Sequence, residues 1–146
     1  MKTLNIVQNL KTILFCLLFW SYAHAHAMLD KADNSHNAQN QIAKSIPYTK
    51  KDFLNAQKQG KHIVIDVWKL GCPTCKAQKP TLEKAREKFP NAIFMKVDFD
   101  KQKNIVQKFN VIKQSTIIVF KGKEETGRVL GETDESKLLA LIQTGA

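Results

Sequence analysis

The chain has 146 residues, with 23 Lys and Arg against 13 Asp and Glu and a formal net charge of +10. That length admits one domain and not comfortably two. The lysines are spread along the chain without a recognition motif, which speaks against a nucleic-acid binder and for a solvated basic surface, still compatible with acidic partners.

Lys2 and Lys11 precede ten residues of apolar character, Ile13 to Tyr22, after which small residues alternate with histidine from Ala23 to Ala27. A basic start, a short apolar run and Ala25-His26-Ala27 make the pattern of a cleavable secretory signal peptide. The run is shorter than the about 20 residues that a membrane span needs. An uncleaved anchor starting at Ile6 or Leu10 is the alternative, weakened by Gln8, Asn9 and Lys11. Residues 1–27 are therefore read as signal peptide and the protein as periplasmic. Cleavage after Ala27 leaves 119 residues, and losing both signal lysines lowers the net charge to +8.

Residues 28–45 are rich in Asn, Gln, Asp, Lys and Ala and bury too little to offset ordering, so a flexible leader is expected there. The folded domain is assigned to residues 46–146. Ile46-Pro47-Tyr48 suits a short edge strand, where proline needs no partner for its missing N–H. Thr49 with Asp52 opens a helix that ends at Gly60.

His62 to Trp68 is a run rich in β-branched residues, long enough for a central strand covered on both faces. A helix follows from about Cys72 to Lys88, with Leu82, Ala85 and Phe89 on one side. Ala92 to Asp98 reads as a second buried strand, Asn104 to Phe109 as a short helix and Thr116 to Phe120 as a third strand. A turn at Lys121 to Glu124 leads into Thr126 to Leu130, forming an antiparallel hairpin. Thr133 or Asp134 caps a last helix that carries Leu138, Leu139, Leu141 and Ile142. The fold class is α/β: strands alternating with helices imply parallel pairing, and the terminal hairpin adds antiparallel edges.

Of three cysteines, Cys16 leaves with the signal, so the mature chain keeps Cys72 and Cys75. Bridging positions three apart closes almost no loop, so the pair points to chemistry rather than to stabilisation. Cys72-Pro73-Thr74-Cys75 follows a buried strand and opens a helix, the context of a redox motif. A helix N-terminus stabilises an anion, here the Cys72 thiolate, with Lys69 and Lys76 as exposed charges nearby. Pro73 suits the first turn because no N–H is needed there. Thr74 adds a neutral hydroxyl between the sulfurs.

The segment Asp66-Val67-Trp68-Lys69-Leu70-Gly71-Cys72-Pro73-Thr74-Cys75-Lys76, with Pro80 beyond it, resembles the active-site segment of thioredoxins. The element order over about residues 46 to 142 resembles that family too. Phe53 and Gly60-Lys61 look more like its periplasmic disulfide-interchange members. The resemblance implies a central mixed sheet flanked by helices with a C-terminal hairpin and helix. It implies thiol–disulfide exchange on protein disulfides, with the reducing direction favoured by Thr74, and no cofactor. It further implies that Asp66 is the buried carboxylate accepting the proton of Cys75, that Lys96 tunes it, and that Pro80 kinks the helix. A periplasmic reductant also needs a membrane or periplasmic redox partner.

Two positions depart from the family pattern. Gly71 stands where the family has tryptophan before the first cysteine. Gln114-Ser115-Thr116 stands where the family has a cis-proline facing the dithiol, which leaves Ser115 open between an ordinary loop serine and a group beside the sulfurs. Trp68 is assigned to core packing. The rival reading is a copper- or other soft-metal-binding module, since two thiolates are soft ligands. No third or fourth ligand accompanies them in the sequence, and no metal site is assigned.

Overall fold

The computed structural model describes residues 44–146. The signal peptide expected over residues 1–27, and the leader up to residue 43, lie outside the described residues.

Among the described residues, five strands and four helices follow in the order β1 (Ile46–Pro47), α1 (Lys50–Lys58), β2 (His62–Trp68), α2 (Pro73–Lys88), β3 (Ile93–Asp98), α3 (Lys103–Lys108), β4 (Thr116–Lys121), β5 (Glu124–Leu130) and α4 (Glu135–Gln143). The strands form one mixed sheet in the order β1-β3-β2-β4-β5. The β1–β3 and β3–β2 pairs are parallel. The β2–β4 and β4–β5 pairs are antiparallel.

The antiparallel hairpin forms as expected, with β4 between β2 and β5 and β5 closing that side. The first five residues of β4 are all buried, as suits a strand flanked on both sides. One expectation needs correction: the turn is tighter than Lys121 to Glu124, because β4 runs to Lys121 and β5 starts at Glu124. Gly122, at φ +57, permits the two-residue loop.

Alternation along the strands sorts the apolar side chains into two cores, one on each face of the sheet. Ile63, Ile65, Val67 and Ile118 pack with Phe53 of α1 and Val106 of α3. Val64, Ile117 and Val119 pack with Leu82 and Ala85 of α2 and with Leu138 and Ile142 of α4. Fully burying an aliphatic side chain is worth about 1.5–3 kcal/mol, so both faces anchor β2. Its C-terminal end then delivers the chain, through Lys69 to Gly71, to the start of α2.

Candidate active site

Cys72 is the N-cap of α2, in extended conformation, and Pro73 occupies the first turn. The Cys72 sulfur accepts a hydrogen bond from the Cys75 backbone N–H at 3.1 Å, the place where a capping oxygen normally sits. The free N–H groups of the first turn thus face this sulfur, which is what a thiolate there requires. Cys72 and Cys75 are joined as a disulfide with their Cα atoms 5.3 Å apart. Both are half-buried, and Pro73 between them is exposed.

Asp66 sits on β2 beside Lys96 of β3 in the parallel register. Its side chain is 14% exposed, and Oδ2 lies 4.0 Å from Lys96 Nζ. Oδ1 is buried and has no hydrogen-bond partner. Burial pushes the Asp66 carboxyl up to about 6, against the opposing pull of Lys96 and Arg86. A carboxyl held there exchanges protons near neutral pH, which an ordinary surface aspartate does not. Asp66, Trp68, Lys96 and Arg86 line a cleft of about 870 Å³ that reaches Cys72 and Cys75.

A family model described as Thioredoxin matches residues 44–144. The chain belongs to the thioredoxin family. Thioredoxin-1 of Saccharomyces cerevisiae is 35% identical over 83 residues, covering 57% of this chain and 81% of the yeast protein. Thioredoxin-2 of Pyricularia oryzae is 34% identical over 91 residues, which span 62% of this chain and 53% of that longer protein. Among solved structures, Trxlp of Edwardsiella tarda is similar at 34% identity and a TM-score of 0.62, covering 68% of this chain and 98% of that one. The chain is thus a thiol–disulfide oxidoreductase of the thioredoxin type, and its disulfide is the redox pair.

Within this thioredoxin site the departures take definite shapes. Gly71 has φ +74, a left-handed conformation in which a side chain at this position is strained. The backbone here takes a shape that suits glycine, and the aromatic platform of the family is absent. The peptide bond before Ser115 is trans, and Ser115 itself holds φ +64. Its hydroxyl lies 3.1 Å from Cys72 Sγ and 3.2 Å from Cys75 Sγ. Ser115 is thus in the site and is no ordinary loop serine. Thr116 beside it turns away, donating from its hydroxyl to the Lys113 carbonyl at 2.7 Å. Thr74 is half-buried in the first turn of α2.

Two other residues differ from their expected parts, and a third had none assigned. Lys69 does not stand free near the dithiol; its ammonium pairs with Asp100 at 3.1 Å. Trp68 is only half-buried and lines the cleft rather than the core, with Lys96 Nζ 4.7 Å from its ring centre. Gln78, unremarked in the sequence reading, is fully buried. Its amide donates to the carbonyls of Ser115 at 3.3 Å and Glu132 at 2.8 Å. The signal for it was present, because Gln78 precedes Leu82 by four on the buried stripe of α2, where a polar residue needs a partner.

Proposed function

We propose that this thioredoxin is an exported, periplasmic reductant of protein disulfides, recharged by a membrane or periplasmic dithiol partner. The observation that carries the reductive reading is the dithiol itself. Cys72 caps α2 with Cys75 N–H on its sulfur, and no charged side chain stands between the cysteines. In the reduced protein the Cys72 thiolate attacks a substrate sulfur, forming a Cys72–substrate disulfide and expelling the other substrate sulfur as a thiolate. Cys75 gives its proton to Asp66, attacks Cys72 Sγ and closes the internal disulfide while the second substrate thiolate departs. The substrate gains two electrons and the protein loses two. Supporting Asp66 in that role are its burial, its free Oδ1 and a carboxyl that titrates near neutrality.

The test is equilibration of the Cys72–Cys75 couple with glutathione, together with reduction of a protein disulfide. The couple is expected nearer thioredoxin's about −270 mV than the about −120 mV of the strong periplasmic oxidant. A value at the oxidising end would reverse the direction. Cys72→Ser should abolish reduction, and Cys75→Ser should accumulate mixed disulfides. First alkylation of Cys75 at neutral pH would exchange the two roles. Export rests on the signal pattern alone: intact mass of the exported protein should place its N-terminus at Met28 or, alternatively, His26. A full-length, membrane-anchored product would overturn it.

A further inference from the structure

The thiolate chemistry above leaves one contact unused. The Ser115 hydroxyl stands almost equidistant from the two sulfurs, at 3.1 Å and 3.2 Å. In the disulfide neither sulfur carries a proton, so the hydroxyl is the only possible donor in either contact. One hydroxyl has one proton and can serve one sulfur at a time. We propose that Ser115 is a catalytic residue of this thioredoxin, a shared hydrogen-bond donor that serves whichever sulfur is the anion. It donates to Cys72 Sγ in the reduced protein, and swings to Cys75 Sγ once the mixed disulfide makes that sulfur the thiolate. The proton stays on oxygen throughout, so the electron and proton balance of the exchange is unchanged.

The surroundings fix this hydroxyl in place. The Ser115 N–H donates to the Val67 carbonyl of β2 at 2.8 Å, and its carbonyl accepts from Gly131 N–H at 2.9 Å and from the Gln78 amide at 3.3 Å. A non-glycine residue at φ +64 is held there only by such over-determination. Ser115 is 4% exposed, so water competes little for its proton, and a hydrogen bond to a charged sulfur is stronger in that setting. Rotation about one side-chain bond suffices to change acceptors. Proline at this position, as in most of the family, has no hydroxyl to offer.

The inference rests on the oxidoreductase reading, and its test separates the two. Ser115→Gly and Ser115→Ala both delete the hydroxyl; glycine accepts φ +64 freely, whereas alanine keeps the strain. Thiolate absorbance of the reduced proteins is titrated with pH, leaving Asp66, Lys69 and Lys76 in place. Both variants should raise the Cys72 midpoint by about one unit, a loss within the range for a charged hydrogen bond. At a pH above both midpoints the glutathione equilibrium should move about tenfold toward the disulfide, equivalent to about 30 mV. In a Cys72→Ala background, Ser115→Gly should raise the Cys75 midpoint as well.

An unchanged Cys72 midpoint in either variant overturns the proposal, because loss of the hydroxyl is common to both. A shift at Cys72 without one at Cys75 overturns the shared role. Wild type that exchanges with glutathione while Ser115→Gly titrates identically sinks this inference alone. Wild type that fails to exchange at all sinks the oxidoreductase reading and the inference with it.

Discussion

At the scale of single residues, the site is a set of side chains whose environments oppose their ordinary chemistry. Asp66 is the clearest case, since burial raises its carboxyl to about 6 while the unfolded chain has it near 3.8. The folded protein therefore binds this proton more tightly than the unfolded chain. Stability then falls as pH rises from about 4 to about 6 and stays lowered above, by roughly 2–3 kcal/mol from this group. Asp66→Asn should accordingly raise the urea midpoint at pH 7.5, by roughly 2 kcal/mol of stability, and change it little near pH 4. It should also slow resolution of the mixed disulfide and spare the first attack. Equal denaturation curves and turnover across that range would make Asp66 a bystander. Cys72 and Cys75 were legible in the sequence because their signals are local: a spacing of three, a strand before, a helix after; the role of Asp66 came from the family resemblance. Ser115 was marked only by its place in the family pattern and left open, because its partners lie 43 and 40 positions away, and no periodicity encodes a contact of that range.

Elements explain how those residues meet. β2 and α2 bring Asp66 and the dithiol together along the chain, whereas the turn before β4, the antiparallel neighbour of β2, brings Ser115 in from a distant part of the sequence. That turn is fixed by the Ser115 N–H on Val67 and by φ +64. Ser115→Pro should therefore destabilise the domain: the ring forces φ near −65° and deletes the N–H donor, a combined loss of about 3 kcal/mol or more. A variant as stable as wild type in urea would mean that the turn rearranges at no cost. Gln78 ties α2 to the same turn and to the loop before α4, through the Ser115 and Glu132 carbonyls. Gln78→Leu keeps the apolar contacts but removes both amide hydrogen bonds, leaving the Ser115 carbonyl only its Gly131 donor, at about 1–3 kcal/mol. Its signature should be a lower urea midpoint accompanied by a shifted Cys72 titration; a lower midpoint alone would reduce Gln78 to packing. The sequence showed the elements in their order and nearly in their bounds, because hydrophobic runs and caps are local. It did not give the strand order, because a buried run says that a strand is covered and not which strands flank it.

At the scale of the whole described domain, one sheet separates two cores that share no side chain. Phe53 and its neighbours occupy one face, and Leu138 and its neighbours the other. Such a layout raises the question of whether the faces unfold separately. The central strand argues that they do not. β2 sends Ile63, Ile65 and Val67 into one core and Val64 into the other, all fully buried, so releasing either face strips cover from the same backbone. β4 repeats the pattern with Ile118 against Ile117 and Val119. Losing one core would leave a sheet with an exposed apolar face, which a domain of this size cannot sustain. Phe53→Ala and Leu138→Ala should each cost about 2–5 kcal/mol and lower one common transition. Because the two sites lie on opposite faces without shared partners, the double variant should lose the sum to within about 0.5 kcal/mol. Trp68 fluorescence reports from the end of β2, and far-ultraviolet circular dichroism reports from all elements. The two curves should coincide in urea for wild type and each single variant. A Leu138→Ala protein whose dichroism falls before its fluorescence would show that the α2–α4 face unfolds by itself, and the cooperative reading of the sheet would then fail.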